Sequence, residues 1–160
     1  MNPRTGEIMQ LDASPAQDLT PAQVRIPTRE DIERLEAQMR TMEQIPIEPV
    51  HHFADGLYAR EILIRAGTIL TGKVHSTEHL NIVSKGRIAV WTEDGMKIVA
   101  APCTLVSRPG TKRVGFALED TVWTTIHANP DNLTDLAALE LALIDNTQPA
   151  IASKEAPCLG

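Results

Sequence analysis

The side chains with chemistry to offer are few, and most crowd into one stretch. Lys73, His75 and His79 lie close together in sequence, Asn81 follows two positions later, and Arg113 stands downstream beside Lys112. Imidazole is the commonest protein ligand for zinc, iron, copper and nickel, so His75 and His79 are candidate metal ligands. A catalytic centre usually takes three protein ligands and keeps one position open. Spacing alone does not place the third, although His127, at the end of a candidate strand, lies within reach of a rim. Lys73 and Arg113 would repel a metal but suit a carboxylate or phosphate. Three readings therefore stand side by side. His75 and His79 hold a divalent metal; or they are hydrogen-bonded interior histidines with Asn81 as partner; or Lys73, His75, His79, Asn81 and Arg113 line a pocket for a small anion. No Gly-x-Ser-x-Gly, phosphate-binding glycine loop or His-Glu-x-x-His motif occurs, and no catalytic residue is assigned.

The elements that must position these residues are strands. From Ile47 to Ala128, runs of Val, Ile and Thr alternate with Gly, Pro and Asp punctuation, at the spacing of about 8 to 12 residues that marks a sandwich or barrel. Candidate strands are Val50–Phe53, Tyr58–Ile64, Ile69–Val74, His79–Ser84, Ile88–Thr92, Lys97–Ala100, Cys103–Ser107, Lys112–Ala117 and Thr121–Ala128. If alternation runs through Ile69–Val74 and on to His75, Lys73 and His75 share the inward face, and His79 and Asn81 meet them from the returning strand. Four cationic groups cannot converge unpaired. The histidines must stay neutral, or an anion or internal carboxylate must sit among them, with Glu61 and Glu78 nearest in sequence.

Two helices flank the barrel. Thr28 to Gln44 carries Ile32, Leu35, Met39 and Met42 on one stripe, with Thr28 and Asp31 as a capping-box pair and Arg34, Glu36 and Arg40 on the wet face. Asn132 to Asp145 is apolar nearly all round and must be covered on more than one side. The division is an extended arm at 1–27, an amphipathic helix at 28–46, the barrel at 47–128, a C-terminal helix at 129–145 and a tail at 146–160. The arm, broken by Pro3, Pro15, Pro21 and Pro27, lacks the apolar period to fold alone. His51-His52 reads as a solvated edge, Cys103 as core and Cys158 as a free thiol.

Composition narrows the function classes. The 160 residues carry a formal charge of -6, and aromatics make up 3%. An acidic chain with so few rings is a poor binder of nucleic acid. No apolar run approaches the roughly 18 residues of a membrane span, and Met1 to Gln10 shows no signal core. Two cysteines, Cys103 and Cys158, form no disulfide framework.

Two resemblances add to this. The stretch Gly67 to Gly86, with Pro109-Gly110-Thr111-Lys112-Arg113, resembles the paired motifs of the cupins, small jelly-roll barrels. Counting back from Gly86 sets Lys73 and His75 at the family's two first-motif histidines and His79 at its glutamate; Arg113 falls at the second-motif histidine. The resemblance implies a jelly-roll barrel over about 50 to 128, with ligand positions that match poorly. The strings His51-His52-Phe53-Ala54-Asp55-Gly56-Leu57-Tyr58-Ala59-Arg60-Glu61, Glu78-His79-Leu80-Asn81-Ile82 and Ala117-Leu118-Glu119-Asp120-Thr121-Val122-Trp123-Thr124-Thr125 are similar to cupin-like proteins of tailed bacteriophages and prophages. That implies location in a virion or host cytoplasm and a non-enzymatic structural or assembly role, acting through homo-oligomer and arm contacts with other virion proteins. A metal-dependent enzyme of the dioxygenase or isomerase class, using His75 and His79, is the alternative, and a small-anion or sugar-binding cupin is the third. A divalent metal is the one cofactor the histidines admit. Nucleic acid and membrane are not expected partners.

Overall fold

Alternating burial from Val50 to Ala128 produces nine strands: β1 (Val50–Ala54), β2 (Leu57–Ile64), β3 (Ile69–Gly72), β4 (His79–Lys85), β5 (Arg87–Thr92), β6 (Gly95–Ala100), β7 (Cys103–Ser107), β8 (Val114–Ala117) and β9 (Thr121–Ala128). The computed structural model describes residues 26–145 and 158–159. A tenth, two-residue strand, β10 (Cys158–Leu159), pairs parallel to β3; it lies in what reads as tail. Two five-stranded sheets result, ordered β1-β2-β9-β4-β7 and β10-β3-β8-β5-β6. Apart from β10, all pairings are antiparallel. This is a jelly-roll barrel, as the turn spacing predicts.

Side chains of the inner faces fill the barrel in layers. At one end Ile62, Ile64, Leu70, Val83, Ile88, Val90, Ala117 and Trp123 form the apolar core. Above it lies a polar layer built on Asn81. Its Oδ1 accepts from Trp123 Nε1 (2.9 Å) and Thr125 Oγ1 (3.1 Å), and its Nδ2 donates to Ser107 Oγ (2.7 Å). The amide is fully buried and its bonding is shared among three strands, so it fixes their register. Gly86, between β4 and β5, has φ +82°, and a Cβ there would meet the Asp120 carbonyl oxygen at 2.2 Å. Only glycine fits that turn.

The first helix, α1 (Arg29–Met39), starts with the expected capping box: Thr28 Oγ1 accepts from Asp31 N, and Asp31 Oδ2 accepts from Thr28 N. It ends earlier than Gln44, because the Gln44 side chain folds back to donate to the carbonyls of Met39 and Met42. Met42 leaves the apolar stripe and is exposed. Glu36 is corrected too. It is buried, not on the wet face, and its carboxylate accepts from Lys112 Nζ and Thr71 Oγ1, both at 2.9 Å. That bond pins α1 to the outer face of the second sheet. Lys112 is thereby removed from any surface patch.

The second helix, α2 (Leu136–Leu143), begins at Asp135, whose carboxylate accepts from Ala138 N. Asn132, the expected start, has φ +49° and belongs to the preceding turn. Leu139 and Leu143 pack on Tyr58. The helix lies across one end of the barrel, tied by Ser76 N to the Leu143 carbonyl (2.9 Å) and Asp145 N to the Val74 carbonyl (2.8 Å). Leu136 and Leu141 stay exposed. No helix among the described residues is long and apolar enough to cross a membrane. The arm expected at 1–27 falls outside the described residues except at Ile26 and Pro27, as does the tail apart from β10.

Candidate metal centre

At the barrel end beneath α2, three imidazoles meet. His79 opens β4 and His127 closes β9. Leu80 pairs with Ile126 in the antiparallel register, so the next step sets His79 beside His127. Along β9 the buried residues are Thr121, Trp123, Thr125 and His127, strict alternation that turns His127 inward. His75 comes from the segment between β3 and β4, held by a bridge to Ile144 and by its carbonyl, which accepts from Gly110 N at 2.9 Å. Ring centroids are 4.4 Å apart for His75–His79 and 4.7 Å for both pairs with His127. All three are buried, and their ligand nitrogens lie within 4.8 Å of one another.

The hydrogen bonding of these rings is not that of satisfied core residues. His79 Nδ1 donates to the Thr77 carbonyl at 3.0 Å, which leaves the Nε2 lone pair free and pointed into the cluster. Neither nitrogen of His75 has a partner, nor has His79 Nε2 or His127 Nδ1. Buried polar atoms are nearly always paired; of these four orphans, one ion could partner three, one from each ring. Ionisation follows. Burial, then the neighbouring His79 and His127 and the charges of Arg113 and Arg60, push His75 down to about 2. Burial, with His79 and Arg60, pushes His127 down to about 4. Burial lowers His79 as well, with Arg113 adding to it and the Thr77 carbonyl opposing. The rings are neutral at pH 7, the form that binds metal. Three imidazole nitrogens are a donor set that suits a divalent transition metal, and bonds of about 2.0–2.1 Å would draw them closer together than the 4.8 Å that bounds them here.

The other expected site residues divide. Arg113 is inside: it is 7% exposed, donates to Ser107 Oγ and lies over the Trp123 ring at 5.9 Å from guanidinium carbon to centroid. Asn81 is inside but belongs to the polar layer, bonded to Ser107, Trp123 and Thr125 rather than to a histidine. Lys73 is a correction. It is exposed and pairs with Glu140 on α2, because β3 ends at Gly72 and the two-residue period lapses before His75. The four-cation pocket therefore does not form. Neither proposed internal carboxylate enters: Glu61 accepts from Thr124 Oγ1, and Glu78 is exposed. The His51-His52 pair lies on the edge strand β1, with His52 exposed and His51 half-buried; His51 Nδ1 bonds the Tyr58 hydroxyl at 2.7 Å, and Tyr58 stacks toward His127 at 6.3 Å. A separate cavity of about 300 Å³, between α1 and the second sheet, is lined by apolar Ile32, Leu35, Ile69, Trp91 and Val114 and does not touch the histidines.

No family model matches the chain, and no curated protein does. Solved structures do. Salicylate 1,2-dioxygenase from Pseudaminobacter salicylatoxidans is 15% identical, with a TM-score of 0.50 over 69% of this chain and 34% of that one. A cupin-2 domain-containing protein from Shewanella frigidimarina is 13% identical, with a TM-score of 0.45 over 59% of this chain and 92% of that one. A cupin superfamily protein from Desulfitobacterium hafniense is 8% identical, with a TM-score of 0.46 over 54% and 81% of the two chains. The fold is that of a cupin. At these identities the likeness speaks for the barrel, and site chemistry must come from the residues. Against the cupin motifs, the triad is displaced. By the sequence resemblance alone, His75 falls at a motif histidine and His79 at the motif glutamate. His127 lies outside both motifs, and Arg113 stands where the last histidine would be.

Proposed function

We propose that this cupin barrel binds one divalent transition-metal ion through His75, His79 and His127, and that it acts on a small molecule at that ion. The observation that carries the reading is the set of orphaned nitrogens on three buried, mutually close imidazoles. Three neutral nitrogen ligands leave coordination positions for substrate, the arrangement of catalytic rather than structural sites. When bound, the ion would supply a Lewis acid that polarises an oxygen of the substrate. The chain's own part is threefold. Thr77 holds the His79 tautomer through its carbonyl. α2 and Tyr58 cover the rings and exclude water. The Asn81 layer stiffens the strands that carry His79 and His127.

This favours the metal-dependent reading, in the dioxygenase or isomerase class, over the non-enzymatic virion role that the phage resemblance implies. An assembly module has no use for three unpaired buried imidazoles, whose burial is costly without a partner. Titrating metal-free protein with cobalt(II), followed by visible absorption, tests the proposal. One equivalent should bind per chain, and His127→Ala should weaken binding at least about a hundredfold, more than loss of an outer-sphere partner does. Equal affinity in wild type and His127→Ala overturns the triad.

A further inference from the structure

Arg113 presents a buried positive charge without a counter-charge. Among the described residues its side chain has one hydrogen-bond acceptor, Ser107 Oγ, and one aromatic neighbour, Trp123; no carboxylate pairs with it. Ser107, which accepts from Arg113, stands directly opposite His79 in the β4–β7 register, and the Arg113 charge acts on His75 and His79. The three imidazoles contribute no negative charge, and no carboxylate oxygen joins their cluster among the described residues. A divalent ion in this place would add two positive charges to a buried site that already holds one. Buried charge of one sign demands compensation.

We infer that the site takes a small organic carboxylate, whose charge is shared between Arg113 and the ion held by His75, His79 and His127. The donor set selects carboxylate over phosphate. A single planar guanidinium fork matches two oxygens in one plane. The extra donors a phosphate would need are engaged elsewhere: Lys112 is bound to Glu36, and Lys73 to Glu140 outside the barrel. The inference rests on the metal reading and adds the class of substrate.

The test uses cobalt(II)-loaded full-length protein, with acetate as probe, acetamide as its neutral isostere and inorganic phosphate as the competing anion. Cobalt content is measured first by equilibrium dialysis. Wild-type protein with no bound cobalt overturns the metal reading and this inference together. With cobalt bound, acetate should shift the visible spectrum saturably and acetamide should not. Arg113→Met should weaken acetate at least about tenfold, the scale of one charge-assisted hydrogen bond, while holding cobalt as tightly as wild type or tighter. Acetate binding that is absent, equal in wild type and Arg113→Met, or weaker than phosphate binding overturns the inference and leaves the metal site standing. Should Arg113→Met fail to fold, Arg113→Lys keeps the charge and loses the fork. Acetate should then bind at least about threefold more weakly, and an unchanged affinity overturns the inference.

Discussion

Acidifying the metal-free protein should destabilise it through the triad, well above the pH at which carboxylates protonate. His75 and His127 have folded pKa values of about 2 and about 4, both depressed by burial below the ordinary value near 6.5. The unfolded chain therefore takes up protons before the folded one does. Their contribution is fully present above about pH 7 and is lost as pH falls through about 6.5 toward the folded values. For one such histidine, linkage gives a loss of about 2 kcal/mol between pH 7 and pH 5, with carboxylates near pKa 4 contributing little in that window. The two histidines are coupled, so the pair should cost between about 2 and 4 kcal/mol. Urea unfolding of metal-free protein at several pH values measures this. The decisive comparison is His75→Gln, which has nothing to titrate at that position and should lose about 2 kcal/mol less than wild type between pH 7 and 5. Parallel stability curves for the two proteins would refute the claim that the cluster is held neutral by burial.

Gly86→Ala should lower stability by about 2 kcal/mol or more, since it combines a positive φ with a Cβ overlapping the Asp120 carbonyl; a thermal midpoint within a degree of wild type would contradict the turn geometry. The apolar residues left exposed on α2, Leu136 and Leu141, together with Leu80 and Val106, which pair across the outer face of the first sheet, point to a homo-oligomer. Light scattering should give a mass at least twice 17.5 kDa, and Leu141→Glu should reduce it if α2 is the interface; a clean wild-type monomer at micromolar concentration would count against both.

The barrel was legible because its signals are local. Glycines at Gly56, Gly67, Gly86, Gly95 and Gly110 all adopt positive φ, and the runs between them alternate, so the nine strands fall within a few residues of where turn chemistry places them. The site was only half legible. His75 and His79 are close in sequence, but His127 joins them through the pairing of β4 with β9, strands that are far apart in the chain and become neighbours only in the finished topology. The strict alternation of β9 was the available signal for its inward turn. Lys73 misled because the strand period was extended past Gly72, where β3 stops. Glu36 misled because helix periodicity does not reveal a buried partner such as Lys112, which arrives from the far side of the barrel sequence.

In the proposed centre, three histidines from separate segments hold one ion. Anomalous diffraction from a crystal of the cobalt-loaded protein tests it most directly. A single strong peak is expected at about 2.1 Å from a nitrogen of each of His75, His79 and His127, with Arg113 and Lys73 not coordinating. A peak seated instead on His51 and His52 at the surface, or a triad without density in protein that demonstrably carries cobalt, would contradict it.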